Sequence, residues 1–242
     1  MLSDTEARNA LIVALDCDRV RALELTDLLA DYARWVKVGM TLFYRYGPGI
    51  VQEMKDRGFN VFLDLKVHDI PFQVHGAVRS ASLSGADIIS IHALGGSHMI
   101  ASGRSGAAEA AEVRGVGEKG RTKLVAISIL TSMNEEDLSS IGVRDTVASE
   151  VERLAKLSYN AGADGLVCSA QEASSMREIL GPEALIITPG IRPRGAKKGD
   201  QQRTATPASA IAAGASKLVI GRPITEAKDP CATFEEIVKE LI

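Results

Sequence analysis

Ser84-Gly85-Ala86-Asp87-Ile88-Ile89, Ala161-Gly162-Ala163-Asp164-Gly165-Leu166 and Ala213-Gly214-Ala215-Ser216-Lys217-Leu218 are three versions of one phrase. Arg57-Gly58-Phe59-Asn60-Val61-Phe62 is a looser fourth. Each reads as a glycine closing a helix, a tight turn, and the first residues of a strand. Outward from these phrases, short apolar and β-branched runs recur along the chain: Leu11–Asp16, Trp35–Gly39, Val61–Lys66, Ile88–Ala93, Lys123–Ser128, Gly165–Ser169, Leu185–Gly190 and Lys217–Arg222. That makes eight candidate strands. Between them the apolar residues follow helical spacing, as at Leu25, Leu28, Leu29 and Tyr32, and at Phe234, Ile237, Val238 and Leu241. Thr206 is placed to N-cap a helix that starts at Pro207 and closes at Gly214. Repeated strand–helix units with near-continuous apolar strands imply a parallel sheet covered by helices. An open doubly wound sheet would also satisfy that pattern. Eight evenly spaced units without a linker or composition shift favour a closed (β/α)8 TIM barrel of eight parallel strands, with 1–242 as one domain.

The composition sets limits on partners. The 242 residues are 45% hydrophobic and 24% charged, with a net charge of -3. That is an ordinary globular balance, and the charge is too small to point to nucleic acid or an anionic membrane. No run approaches the roughly 20 apolar residues of a membrane span. The polar start MLSDTEARNA lacks the apolar segment of a signal peptide. Cys17, Cys168 and Cys231 are odd in number and far apart, which fits buried thiols in a reducing compartment. A cytoplasmic location is expected.

Side-chain parity locates the chemistry. Phe62, Asp64 and Lys66 fall on one face of the third strand, opposite Val61, Leu63 and Leu65. Lys37 opposes Val36 and Val38, and Asp16 shares a face with Ile12 and Ala14. If the apolar faces meet the helices, then Asp16, Lys37, Asp64 and Lys66 converge inside the barrel near the C-terminal strand ends, where barrel active sites lie. Each also has a structural reading. Asp16 would serve as a loop or capping residue and Lys37 as a snorkelling lysine. Asp64 and Lys66 would serve as a buried ion pair, though such pairs are a weak source of stability. Asp69, before Ile70-Pro71, would serve as a helix N-cap.

Asp64-Leu65-Lys66-Val67-His68-Asp69-Ile70-Pro71 closely resembles the D-x-K-x-x-D-I-P signature of the orotidine 5'-monophosphate decarboxylases. Ala14-Leu15-Asp16 and Val36-Lys37-Val38-Gly39 resemble the ends of that family's first two strands. Leu130-Thr131-Ser132-Met133 is similar to its pyrimidine-contacting segment. Thr188-Pro189-Gly190-Ile191-Arg192-Pro193, with Gly199-Asp200-Gln201 further on, resembles its phosphate-side loop, and Val219-Ile220-Gly221-Arg222-Pro223 its strand-8 phosphate site. One position departs: Gln73 stands where the family usually carries a ribose-contacting threonine.

The resemblance implies decarboxylation of orotidine 5'-monophosphate to UMP and CO2, without metal or organic cofactor. Lys66 would stabilise and protonate a carbanion at C6, and Asp64 would face the substrate carboxylate. Lys37 and Asp69 would complete a Lys-Asp-Lys-Asp array that holds Lys66 protonated and oriented. Asp16, Lys37, Ile70, Thr131, Ser132, Arg192, Gln201, Gly221 and Arg222 would bind the substrate, with Thr131 and Ser132 at the pyrimidine, Gln201, Gly221 and Arg222 at the phosphate, and Arg192 in the loop beside it. It also implies a homodimer in which Asp69 and Ile70 complete the partner's site. The glycine- and lysine-rich run between Ile191 and Thr206 reads as a lid over the phosphate or as a plain surface loop. His92 is placed either to orient a pocket group or to make a structural hydrogen bond. Two other functions share this frame. One is a metal-dependent hexulose-phosphate synthase or pentose-phosphate epimerase, although an epimerase needs metal-binding histidines where this chain has Lys37. The other is a non-catalytic protein that binds nucleotide phosphates.

Overall fold

The computed structural model describes residues 1–193 and 204–242. Its eight strands are β1 (Leu11–Ala14), β2 (Trp35–Gly39), β3 (Asn60–Val67), β4 (Ile88–His92), β5 (Lys123–Ile127), β6 (Gly165–Val167), β7 (Leu185–Thr188) and β8 (Lys217–Ile220). Each pairs in parallel with the next, and β8 pairs with β1, so the sheet closes into a barrel. Helices cover the outside between successive strands. Several strands end short of their apolar runs. Asp16 lies two residues past β1, and Arg222 opens a short helix, Arg222–Thr225, after β8.

The repeated phrase has a definite structural job. Gly85, Gly162 and Gly214 sit at φ of 95°, 99° and 99°, where a side chain would be strained. Two residues on, Asp87, Asp164 and Ser216 accept hydrogen bonds from the backbone N–H groups of Val61, Leu124 and Ile186, at 2.7, 2.8 and 3.1 Å. The turns into β4, β6 and β8 are thereby each stitched to the strand before. Thr206 caps the Pro207–Ala212 helix by accepting from the Ser209 N–H.

Parity sorts the core into two layers. Val13, Leu15, Val36, Val38, Val61 and Leu63 pack outward beneath the helices. Ile12, Ala14, Phe62, Ile88, Val125, Ile127, Val167, Ile187 and Val219 fill the barrel interior. The N-terminal end is closed by a polar plug. The Lys217 ammonium lies 3.9 Å above the centre of the Trp35 ring and donates to the Asn9 carbonyl at 2.7 Å. The Trp35 Nε1–H donates to the Asn9 side chain. Asn9 belongs to the helix Asp4–Ala10, fixed at its start by a reciprocal Ser3–Glu6 cap. The N-terminal segment, polar in sequence, is therefore the floor of the barrel. No helix among the described residues is long and apolar enough to cross a membrane. The three cysteines are free thiols, but only Cys168 is buried; Cys17 and Cys231 are half-buried, short of the expectation for all three.

Candidate active site

A cavity of about 610 Å³ opens at the C-terminal end of the barrel, with Ala14, Phe62, Ile127, Val167 and Val219 as its apolar floor. Asp16, Lys37, Asp64 and Lys66 line one wall. Lys37, buried on β2, donates to Asp16 Oδ1 at 2.7 Å and lies 3.8 Å from Asp64 Oδ2. Lys66 donates to the same Asp64 oxygen at 2.8 Å. Four charges thus form an unbroken Asp-Lys-Asp-Lys chain along the wall. Desolvation of Asp64 opposes its ionisation, but Lys37, Lys66 and the hydrogen bonds from Lys66 and Ser90 outweigh it. The carboxyl is held below its ordinary value of 3.8.

Local backbone geometry puts Lys66 there. It is the one non-glycine residue with positive φ, 51°, among the described residues. An L-residue in this region costs about 1–2 kcal/mol. Leu63 pairs with Ile89 and Val67 with Ile91, so β3 spends two more residues than β4 over this stretch. The bulge ends the pleat that parity assumed and re-aims the lysine at the strand end.

Across the cavity stand Leu130, Thr131, Pro189, Gly190, Arg192, Gly221 and Arg222. Arg192 extends the wall formed after β7, where Ile191 makes a parallel bridge with Ala205 and the Arg192 N–H donates to the Ala205 carbonyl. Gly221, half-buried, precedes the short helix that carries Arg222. An anion entering between Arg192 and Arg222 would meet two guanidinium groups and a helix start. Gln201 and most of the 191–206 loop lie outside the described residues.

Three expected residues are not in this cavity. Ser132 is exposed beside Thr131 and does not line it. Asp69 and Ile70 are exposed, and Asp69 lines a separate cavity of about 670 Å³ with Met40, Phe43, Tyr44, His68 and Gln73. Lys66 borders both cavities. The capping role for Asp69 does not hold: Ile70 is the N-cap of the Pro71–Leu83 helix, which has no side-chain cap, and Asp69 accepts only from the adjacent Ile70 N–H. His92 stacks on His68 with ring centres 5.3 Å apart, and its Nδ1 accepts from the Leu94 N–H at 3.4 Å. Burial, then His68 and Lys66, push its imidazole below the ordinary 6.5.

Two residues went unread in the sequence. Ser90, fully buried on β4, donates to Asp64 Oδ1 at 2.7 Å and accepts from the Lys66 N–H at 2.9 Å. The signal was present: a serine on the inward face of Ile88-Ile89-Ser90-Ile91 needs a polar partner inside the barrel. Arg21 lines the mouth and donates to the Thr225 carbonyl at 3.1 Å, tying the helix after β1 to the turn that carries Arg222.

A parallel barrel with opposed charges just after β1 and on β2 and β3, and an anion-receptive wall after β7 and β8, defines a (β/α)8-barrel enzyme for a phosphorylated small molecule. The model of the orotidine 5'-phosphate decarboxylase / HUMPS family matches residues 9–237. The chain belongs to that family. It is 46% identical over 233 residues to an orotidine 5'-phosphate decarboxylase of Vibrio cholerae, covering 96% of this chain and 98% of the relative. It is also 46% identical over 232 residues to that of Chromohalobacter salexigens, covering 96% and 95%. The crystal structure of the Lactobacillus acidophilus orotidine 5'-phosphate decarboxylase matches with a TM-score of 0.82 and 37% identity, over 96% of this chain and 98% of that one.

Proposed function

We propose that the chain decarboxylates orotidine 5'-monophosphate to UMP and CO2 in pyrimidine biosynthesis, as a cytoplasmic enzyme that uses its own side chains and no cofactor. The observation that carries this reading is the Lys37–Asp64–Lys66 contact series along one wall of a cavity of about 610 Å³. Departure of CO2 from C6 leaves an electron pair in an sp2 orbital with no adjacent carbonyl to receive it. The nearest cation must then stabilise the charge as it develops and supply the proton that replaces CO2. Lys66 is that cation: its ammonium is anchored to Asp64 and its backbone is fixed by the bulge.

Asp64 adds a second effect. Two like charges about 4 Å apart repel by roughly 4 kcal/mol at an effective dielectric near 20. A substrate carboxylate placed against Asp64 loses that repulsion as it becomes neutral CO2. Enzymatic barriers fall by about 8–23 kcal/mol, so the larger share comes from charge stabilisation and from binding of the remote phosphate. Arg192, Gln201, Gly221 and Arg222 are assigned to that phosphate, Asp16 and Lys37 to the ribose hydroxyls, and Thr131 and Ser132 to the pyrimidine.

The active form is a homodimer in this reading, with residues 1–242 as one domain in each copy. Asp69 and Ile70 stand outside their own chain's cavity, on a surface with exposed Ile70, Phe72, Tyr44 and Met40. Pairing would cover that apolar patch and deliver Asp69 to the partner's Lys66, completing the alternating array. Gln73 shares this surface, so its contact would also be with the partner's ligand. Turnover of orotidine 5'-monophosphate by the purified chain, followed by its loss of absorbance, tests the proposal.

A further inference from the structure

The neighbouring inward positions Ile88, Val125 and Ile127 are apolar, yet the Ser90 hydroxyl is fully buried and doubly engaged. Its two partners fix its proton. The Lys66 backbone N–H is a donor only, so Ser90 Oγ must accept there at 2.9 Å, and its single hydrogen is left for Asp64 Oδ1 at 2.7 Å. One side chain on β4 therefore holds both ends of the Asp64–Leu65–Lys66 segment. It satisfies the N–H that the β3 bulge removes from the ladder, and it clamps the Asp64 oxygen that Lys66 does not use.

We propose that Ser90 is a positioning residue for decarboxylation: its hydroxyl locks Lys66 in the left-handed backbone conformation and sets the rotation of the Asp64 carboxylate. The proposal rests on the assignment of Lys66 and Asp64 to the reaction. With Oδ1 held by Ser90 and Oδ2 by Lys66, the carboxylate plane is fixed before substrate enters, and the ammonium is aimed by a backbone that cannot relax. Removal of the hydroxyl orphans the Lys66 N–H and frees the carboxylate to turn. The phosphate wall is untouched, so the loss falls on the chemical step and not on binding.

Ser90→Ala separates this from a packing role. The expected result is a fall in kcat of about tenfold to hundredfold, the loss that accompanies removal of a hydrogen bond to a charged group. KM stays within about threefold, since the groups assigned to the phosphate keep their places. The acid limb of the kcat profile moves to higher pH, because Asp64 loses a donor that favours its ionised form. Ser90→Cys, close in volume but a weaker donor, falls between Ser90 and Ser90→Ala in both respects, and it carries the test if the alanine variant does not fold. Titration of isotope-labelled Asp64 by NMR reads the same shift without turnover, so the clamp is tested even if orotidine 5'-monophosphate proves not to be the substrate. An alanine or cysteine variant with kcat within twofold of the parent and an unmoved Asp64 titration overturns the proposal.

Discussion

Lys37 Nζ and Asp16 Oδ1 stand 2.7 Å apart in a space that exists because residue 39 has no side chain. A Cβ on Gly39 would lie 3.1 Å from that oxygen and 3.2 Å from that nitrogen. Gly39 has φ of -93°, so backbone strain is not the reason for glycine here; access is. Gly39→Ala is expected to push the pair apart by a few tenths of an ångström, which the half-open Asp16 side chain can absorb. Steady-state kinetics should show KM for orotidine 5'-monophosphate raised about tenfold or more, with the thermal midpoint little changed.

The wall after β8 makes a separable prediction. Arg222→Ala should raise KM by about ten- to a hundredfold, the worth of one charge-assisted contact to a phosphate. Orotidine, which lacks the phosphate, should be turned over equally poorly by parent and variant. A variant that discriminates against both compounds alike would remove Arg222 from phosphate binding.

The dimer proposal is tested by mixing two inactive proteins. Lys66→Ala and Asp69→Asn each spoil every site in their own homodimers. If Asp69 acts across the interface, a heterodimer has one site with both defects and one with neither. Equal mixing and exchange should restore about a quarter of parental activity, from random pairing in a two-fold dimer. No recovery, with exchange verified by mass, would place Asp69 in its own chain's site.

At the opposite end of the barrel, burial pushes the Lys217 ammonium down from 10.5 to about 8. Below pH 8 both folded and unfolded chains carry this proton, and the penalty of burying the charge is constant. Between about 8 and 10.5 the unfolded chain holds the proton and the folded chain does not, so this group makes stability rise with pH. Urea unfolding of the parent, relative to Lys217→Met, should show a gain of about 1–3 kcal/mol across that window. Trp35 is the sole tryptophan. Its fluorescence should titrate near pH 8 in the parent alone, as the cation over its ring loses charge.

Much of this was readable in the residues. The Gly85, Gly162 and Gly214 phrases mark the turns because only glycine takes that φ without strain, and alternation along β1, β2 and β3 sorts inner from outer side chains. Parity correctly brings Asp16, Lys37 and Asp64 to one wall. It gives no account of the bulge at Lys66, because a register shift depends on where β4 can pair, which is a property of two strands. Ser90 was hidden for a related reason: its meaning lies in an N–H left unpaired on another strand. Asp69 looks like a capping residue from spacing alone, and a single chain leaves it outside the cavity. Strand ends such as Asp16 and Arg222 were overextended because apolar runs continue into the loops that build the site.

The most direct test of the central claim is the fall in orotidine 5'-monophosphate absorbance after addition of the purified chain in EDTA, beside Lys66→Ala. Rapid formation of UMP that survives chelation, with kcat in the variant reduced by more than about a thousandfold, is the predicted result. Turnover that needs an added metal, or that persists in a folded Lys66→Ala protein, would contradict it.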